Sequence, residues 1–292
     1  MRTYSYFPGC SLEKMALSYH QSAMQTTNAL GVELIEIEDW NCCGATTYFH
    51  VDELLAYTLV ARNLAIAEQT GNDLVAPCSA CYKNAYFTSK YLKEDKDLAD
   101  HINYALEQDN LRYSGNIAVK HLMEVFVEDV GFEEIKERTT KPLTGLRVAP
   151  YYGCQIIRPR KDHEEVENPQ FFEDLISSIG ADPVDFSYRL RCCGGSLIIT
   201  SRDAALTLVR NLLKSAVDSD AEVIATACPL CQTNLEVYQM QVNQEFGTDF
   251  SIPIMYFTQL MGLAFGLPKK KLGIGSEFIS TDKIVTYAKE PA

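Results

Sequence analysis

Asn41-Cys42-Cys43-Gly44 returns once in the chain, as Arg191-Cys192-Cys193-Gly194, and every other cysteine takes its place from these two stretches. Cys10 is separated from the first pair by 31 residues, and Cys78-x-x-Cys81 follows it after 34 more. Cys154 is separated from the second pair by 37 residues, and Cys228-x-x-Cys231 again follows after 34. The ten cysteines fall into two sets of five with none left over. Their surroundings repeat as well. Residues 3–10 and 148–154 each end an apolar run in Gly-Cys, and Asn84 and Asn234 each lie three residues beyond a Cys-x-x-Cys. Self-similarity at a fixed offset, 144 residues at the first cysteine and 150 at the others, marks a tandem duplication.

At 292 residues the chain has room for two domains that each bury a core. The stretch Lys141-Pro-Leu-Thr-Gly145 is the expected boundary, giving domains 1–143 and 144–292. With 47% hydrophobic and 22% charged residues the composition is that of a globular protein. A net charge of -13 argues against binding nucleic-acid phosphates or anionic lipid, both of which call for a basic surface. The N-terminus lacks a signal-peptide apolar region, and no apolar stretch reaches the ~18–20 residues a membrane span needs. A cytoplasmic location is expected. Thiols stay reduced there, so cysteine sets point to metal or catalysis rather than to disulfides.

Periodicity predicts strands at 3–9, 32–38 and 74–76 in the first half, and at 146–152, 183–187 and 222–226 in the second. Helices are predicted from a Ser11 cap to about Leu30, from an Asp52 cap to Gly71, and over 79–92, 97–109 and 120–138. In the second half they are predicted over 169–179 and 201–217 and from Cys228 to about Phe246. The fold class is α/β: two tandem repeats, each a small parallel-type sheet with flanking helices and cysteine loops at the strand ends. Parallel sheets bind ligands at the carboxyl ends of their strands, so each five-thiol set can gather on one edge. Helix N-termini there favour thiolate.

Buried core cysteines and disulfides explain two matching sets of five poorly. Zinc is the serious structural alternative, since Cys78, Cys81, Cys228 and Cys231 form two half-sites, yet a closed zinc site takes four ligands and each half offers five. Iron–sulfur ligation is the preferred reading, because soft thiolates select such clusters. The ferredoxin run C-x2-C-x2-C-x3-C-P is absent, so an ordinary electron wire of that kind is excluded.

The doubled pattern resembles the cysteine-rich CCG domains of the heterodisulfide reductase B subunit and its relatives, and the likeness runs to about residue 265. That resemblance implies an oxidoreductase acting on sulfur groups, with two noncubane 4Fe-4S clusters. It assigns Cys10, Cys42, Cys43, Cys78 and Cys81 to one, and Cys154, Cys192, Cys193, Cys228 and Cys231 to the other. It also implies a disulfide reduced between the clusters, in a cleft where the two halves meet. The 34-residue spacing, at or just below the family's usual value, points toward a divergent branch such as the sulfur-oxidising relatives that work beside a lipoate-bearing sulfur carrier. The chain has no nicotinamide or flavin fingerprint. By resemblance its partners are a small ferredoxin-type subunit with two ordinary 4Fe-4S clusters and a flavin subunit that feeds it.

Two other readings stay open. One is an electron-transfer subunit of a succinate dehydrogenase- or lactate oxidase-like complex, for which the apolar residues 252–267 are either core or an amphipathic helix lying on a membrane. The other is a non-catalytic zinc scaffold, with zinc in one half as a further variant. Arg158, Arg160, Lys161 and His163 follow Cys154 and offer charge for an anionic substrate, against the plainer reading of a solvated basic loop. Tyr48, Tyr151 and Tyr152 either wall a pocket or belong to the core. His20, His50, His101 and His121 show no ligand spacing, and Lys269–Lys271 reads as a surface turn.

Overall fold

The structure, a computed structural model, describes residues 2–45, 48–159 and 166–288. The first half runs β1 (Arg2–Tyr6), α1 (Gly9–Leu12), α2 (Leu17–Ala29), β2 (Val32–Glu36), α3 (Tyr48–Val51), α4 (Glu53–Gln69), β3 (Leu74–Ala76), α5 (Ser79–Glu94), α6 (Lys96–Leu106), β4 (Val119–His121), α7 (Leu122–Glu124) and α8 (Phe132–Arg138). The second runs β5 (Arg147–Tyr151), α9 (Phe171–Ser178), β6 (Asp182–Pro183), α10 (Arg202–Asp218), β7 (Val223–Thr226), α11 (Pro229–Val237), α12 (Gln239–Phe246), β8 (Ile254–Tyr256), α13 (Phe257–Ala264) and α14 (Asp282–Val285).

Each half builds a four-stranded sheet, in the orders β2-β1-β3-β4 and β6-β5-β7-β8. All pairings are parallel, with Tyr6 opposite Glu36 and Val75, and Val148 opposite Pro183 and Val223. The direction of winding reverses beside the first strand of each half, and at such a point strand ends splay apart to leave room for a ligand. Cys10 follows β1, Cys42 and Cys43 follow β2, and Cys78 follows β3, so the thiols share one edge because every strand points the same way.

The sheets have one strand more per half than the sequence predicts. The expected helix over 120–138 opens instead with β4, paired to β3 through Leu74 and Val119. It is held there because Asp73 and Glu68 take the backbone N–H groups of Ala118, Asn116 and Ser114. A wide π turn over 125–130 and Gly131, at φ +89°, then separate it from α8. Ser11 caps no long helix: Gly9, at φ +71°, lets α1 start earlier with Cys10 on it, and the chain breaks at Ala16 before α2. Asp52 does cap α4, accepting from the Leu55 N–H at 3.0 Å. The strand expected at 183–187 pairs only over Asp182–Pro183, and the helix expected from Cys228 to Phe246 breaks at Tyr238 into α11 and α12.

Residues 252–265 are buried as β8 and α13, so the membrane-lying alternative gives way to the core reading. α13 carries apolar side chains on all sides and is enclosed accordingly. Among the described residues no helix is long and apolar enough to cross a membrane. Lys269–Leu272 is a short 3-10 turn with its lysines exposed.

One apolar core runs from Tyr4 and Leu64 of the first half into Phe172, Phe257 and Leu260 of the second, and a smaller core around Tyr151, Phe186 and Leu213 lies within the second half. Tyr19 on α2 closes the seam between halves. Its ring stacks on Tyr256 at 4.2 Å and 5°, and its hydroxyl faces the carbonyls of Pro77 at 3.0 Å and Ala227 at 3.4 Å. Close by, Ser22 and Thr258 share a 2.7 Å hydrogen bond. Tyr19→Phe keeps the stack and leaves the buried Pro77 carbonyl without the hydroxyl that donates to it, while Ala227 keeps its bond from Ser79, which is expected to lower stability by about 1–2 kcal/mol. A urea titration beside the wild type checks this: an unchanged midpoint would mean that the stack alone holds the seam.

Candidate functional site

The two thiol sets are built alike. Cys78 and Cys228 cap α5 and α11 in extended conformation, and Cys81 and Cys231 sit in the first turns. The helix N-terminus and its unpaired N–H groups therefore face the thiols, which favours negative charge. Gly9 and Gly153 bring their loops against this turn with no side chain between: a Cβ on Gly9 would lie 2.8 Å from the Cys81 sulfur, and one on Gly153 3.2 Å from the Cys231 sulfur.

Three pairs of sulfurs lie in direct contact. Cys10 and Cys42 lie 3.8 Å apart, Cys43 and Cys81 3.2 Å, and Cys193 and Cys231 3.6 Å. Cys42 and Cys43, and Cys81 and Cys78, are near enough to shift one another's ionisation. Cys78 and Cys228 do so across the seam, as do Cys228 with Cys231 and Cys192 with Cys193 and Cys154. Cys43, Cys78, Cys81, Cys193, Cys228 and Cys231 are buried, while Cys10 and Cys192 are exposed and Cys42 and Cys154 half-buried. Among the described residues no three metal-ligating side chains close around one point, as they would on a single ion.

Electrostatics forbids all ten from ionising together. Hydrogen bonds from Cys10 and Cys43 hold Cys42 well below the usual thiol range, and those from Cys154 and Cys193 do the same for Cys192. Bonds from Cys228 and Cys81 lower Cys78. The partners move the other way: Cys10, Cys43, Cys81, Cys154, Cys193 and Cys231 are raised, first by the neighbouring cysteine each is hydrogen-bonded with and also by burial. Cys228 is pulled down by Cys231, but Cys78 and burial push it up overall. Two like charges 4 Å apart repel by about 4 kcal/mol at an effective dielectric of 20. A full set of thiolates here needs cations among the sulfurs. Five soft donors in a string suit a multi-iron cluster, whose ligands are shared out over several metals, better than one tetrahedral ion.

Several groups around the thiols carry no signal in the sequence. Lys83 on α5 is half-buried, with its ammonium 5.9 Å from the Phe49 ring centroid. Burial and then Arg158 lower its pKa, while Cys43 and Cys154 oppose them. Lys83 thus feels the charge of Arg158 and of thiols from both sets. Arg158 itself is exposed, and Arg160, Lys161 and His163 lie outside the described residues. His121 is buried rather than idle. Its Nδ1 accepts from the Met123 N–H at 3.0 Å, which leaves Nε2 to donate to the Ser79 hydroxyl at 3.3 Å, and Ser79 in turn donates to the Ala227 carbonyl across the seam at 3.2 Å. His20 bonds the Tyr6 hydroxyl, His101 bonds the Asp97 carbonyl, and His50 is exposed on α3. Tyr151 and Tyr152 are core residues, and Tyr48 is partly exposed.

Fold and thiols together define a duplicated α/β protein that presents paired five-cysteine sets. The family model for the cysteine-rich CCG domain matches residues 4–84 and 148–236. The chain is 35% identical over 285 residues to the 8-methylmenaquinol:fumarate reductase membrane anchor subunit of Wolinella succinogenes, covering 97% of this chain and 99% of that one. It is 32% identical over 279 residues to the B subunit of the ferredoxin/F(420)H(2)-dependent CoB-CoM heterodisulfide reductase of Methanosarcina acetivorans, covering 94% and 93%. The crystal structure of a hypothetical protein from Helicobacter pylori shares the fold, with a TM-score of 0.76 at 16% identity, covering 97% of this chain and about half, 53%, of that one. The chain belongs to the family of CCG cysteine-rich domain proteins that includes the heterodisulfide reductase B subunits.

Proposed function

We propose that this chain is the iron–sulfur subunit of a heterodisulfide reductase-like complex. Cys10, Cys42, Cys43, Cys78 and Cys81 hold one 4Fe-4S cluster of the noncubane kind, and Cys154, Cys192, Cys193, Cys228 and Cys231 hold the other. The observation that carries this reading is the gathering of both five-thiol sets at the ends of parallel strands, with Cys78 and Cys228 near enough to shift each other's ionisation across the seam, the inner thiols buried and Cys10 and Cys192 exposed. Clusters bound there would supply one-electron redox steps at two adjoining centres.

Cleaving a disulfide to two thiols takes up two electrons and two protons, so two adjoining one-electron sites suit it. The chain's own residues supply the setting. The N–H groups of Gly44 and Gly194 stabilise charge on Cys42 and Cys192, at 3.5 and 3.3 Å. Lys83 and Arg158 draw an anionic disulfide or thiol toward the thiol sets. Electrons come from a ferredoxin-type partner subunit fed by a flavin subunit, in a cytoplasmic complex. Run in reverse, the same site oxidises the thiols of a lipoate-type sulfur carrier. A second reading, electron transfer in a quinol:fumarate reductase-like complex, is favoured by one specific observation: the near full-length likeness to the Wolinella protein.

Iron, sulfide and zinc content, measured with electron paramagnetic resonance on anaerobically purified protein, tests both. About eight irons per chain and a signal that changes on adding a thiol are expected. Eight irons with a signal indifferent to thiol would favour the fumarate reductase-like reading. Zinc without iron would make the chain a scaffold.

A further inference from the structure

The repeated asparagines, Asn84 and Asn234, have an assignment that the cysteine pattern does not require. Each lies three residues beyond the second cysteine of its Cys-x-x-Cys, on the same helix face. From there Asn84 Nδ2 donates to the Cys43 carbonyl at 3.0 Å, and Asn234 Nδ2 donates to the Cys193 carbonyl at 2.7 Å. Both asparagines are only 2% exposed.

The peptide group that each amide grips is the one that meets the neighbouring thiol. The Cys43 carbonyl and the Gly44 N–H belong to one planar trans peptide, so they point in opposite directions. With Asn84 holding the oxygen end, the hydrogen end faces the Cys42 sulfur at 3.5 Å. In the second half Asn234 holds the Cys193 oxygen and the Gly194 N–H faces the Cys192 sulfur at 3.3 Å. Gly44 and Gly194 take φ of +65° and +77°, so the chain leaves each of these peptides in a left-handed turn that favours glycine. The device is therefore amide to carbonyl to N–H to sulfur, built twice. Hydrogen bonds in series polarise one another, and hydrogen bonds to ligand sulfurs favour the more negative, reduced state of an iron–sulfur centre.

We propose that Asn84 and Asn234 are positioning residues that set the reduction potentials of the two centres, each through the peptide of its own Cys-Cys-Gly. This rests on the iron–sulfur reading above. Redox titration of the holoprotein, followed by electron paramagnetic resonance and with iron counted in parallel, tests it on Asn84→Ala and Asn234→Ala. Each variant is expected to keep the wild-type iron content, and in each the midpoint potential of one signal is expected to fall while the other stays put. The two variants should move different signals. Unmoved potentials at full iron content would overturn the proposal, as would an equal shift of both signals in either variant. Iron lost from a variant would overturn it too, since the amide would then hold the ligand set together rather than tune it. Wild-type protein without iron and sulfide would fail the cluster reading instead.

Discussion

A Gly9→Ala protein is expected to lose iron from the first thiol set and keep it in the second, ending with about half the wild-type iron per chain. Two effects act together. Gly9 sits at φ +71°, where an alanine costs roughly 1–2 kcal/mol in left-handed strain. Its Cβ would also lie 2.8 Å from the Cys81 sulfur. That sulfur has little room to retreat, being buried and already 3.2 Å from Cys43. Gly153→Ala is the internal control, because the backbone conformation is nearly the same, φ +70°, but the corresponding approach to Cys231 is 3.2 Å. It should keep most of its iron and show mainly the strain, a melting temperature lower by about 2–4 °C for each kcal/mol. Iron assays and thermal melts on both variants separate the two effects. Full iron in the Gly9→Ala protein would mean that the tight approach to Cys81 does not shape the first set.

Much of this arrangement is legible in the residues alone, for a physical reason. Duplication writes itself into spacing, and a parallel sheet needs a strand before each loop, so the three strand-to-cysteine junctions per half can be read directly. The fourth strands cannot. β4 and β8 are three residues each, too short to show alternation, and β8 runs straight into the apolar helix α13. Their signal is the partner they pair with. The join between halves is hidden in the same way: Cys78 and Cys228 are 150 residues apart, and no local pattern tells that they act on each other across the seam. Lys83 looks like an ordinary helix lysine until its surroundings place it beside thiols of both sets. Asn84 and Asn234 are visible as a repeat, but a repeat shows kinship rather than role, and the role appears with the carbonyls they bind.

Removing a single thiol from the middle of either set should separate the halves functionally. In Cys43→Ala the sulfur between Cys42 and Cys81 is gone, and in Cys193→Ala the one between Cys192 and Cys231. The methyl that replaces it leaves a small void in an otherwise intact sheet edge, so the fold of the opposite half is expected to survive. Each variant should hold about four irons, show one of the two resonance signals, and have disulfide turnover at background, because a lone one-electron centre cannot complete a two-electron cleavage. Cys78→Ala is expected to behave differently. Its thiol acts on the ionisation of Cys81 in its own set and of Cys228 across the seam, so both signals should change although only one set loses a ligand. Turnover retained in both Cys43→Ala and Cys193→Ala would sink the two-centre reading. Turnover retained in one alone would place the chemistry in the other half and leave its twin as a scaffold for the seam.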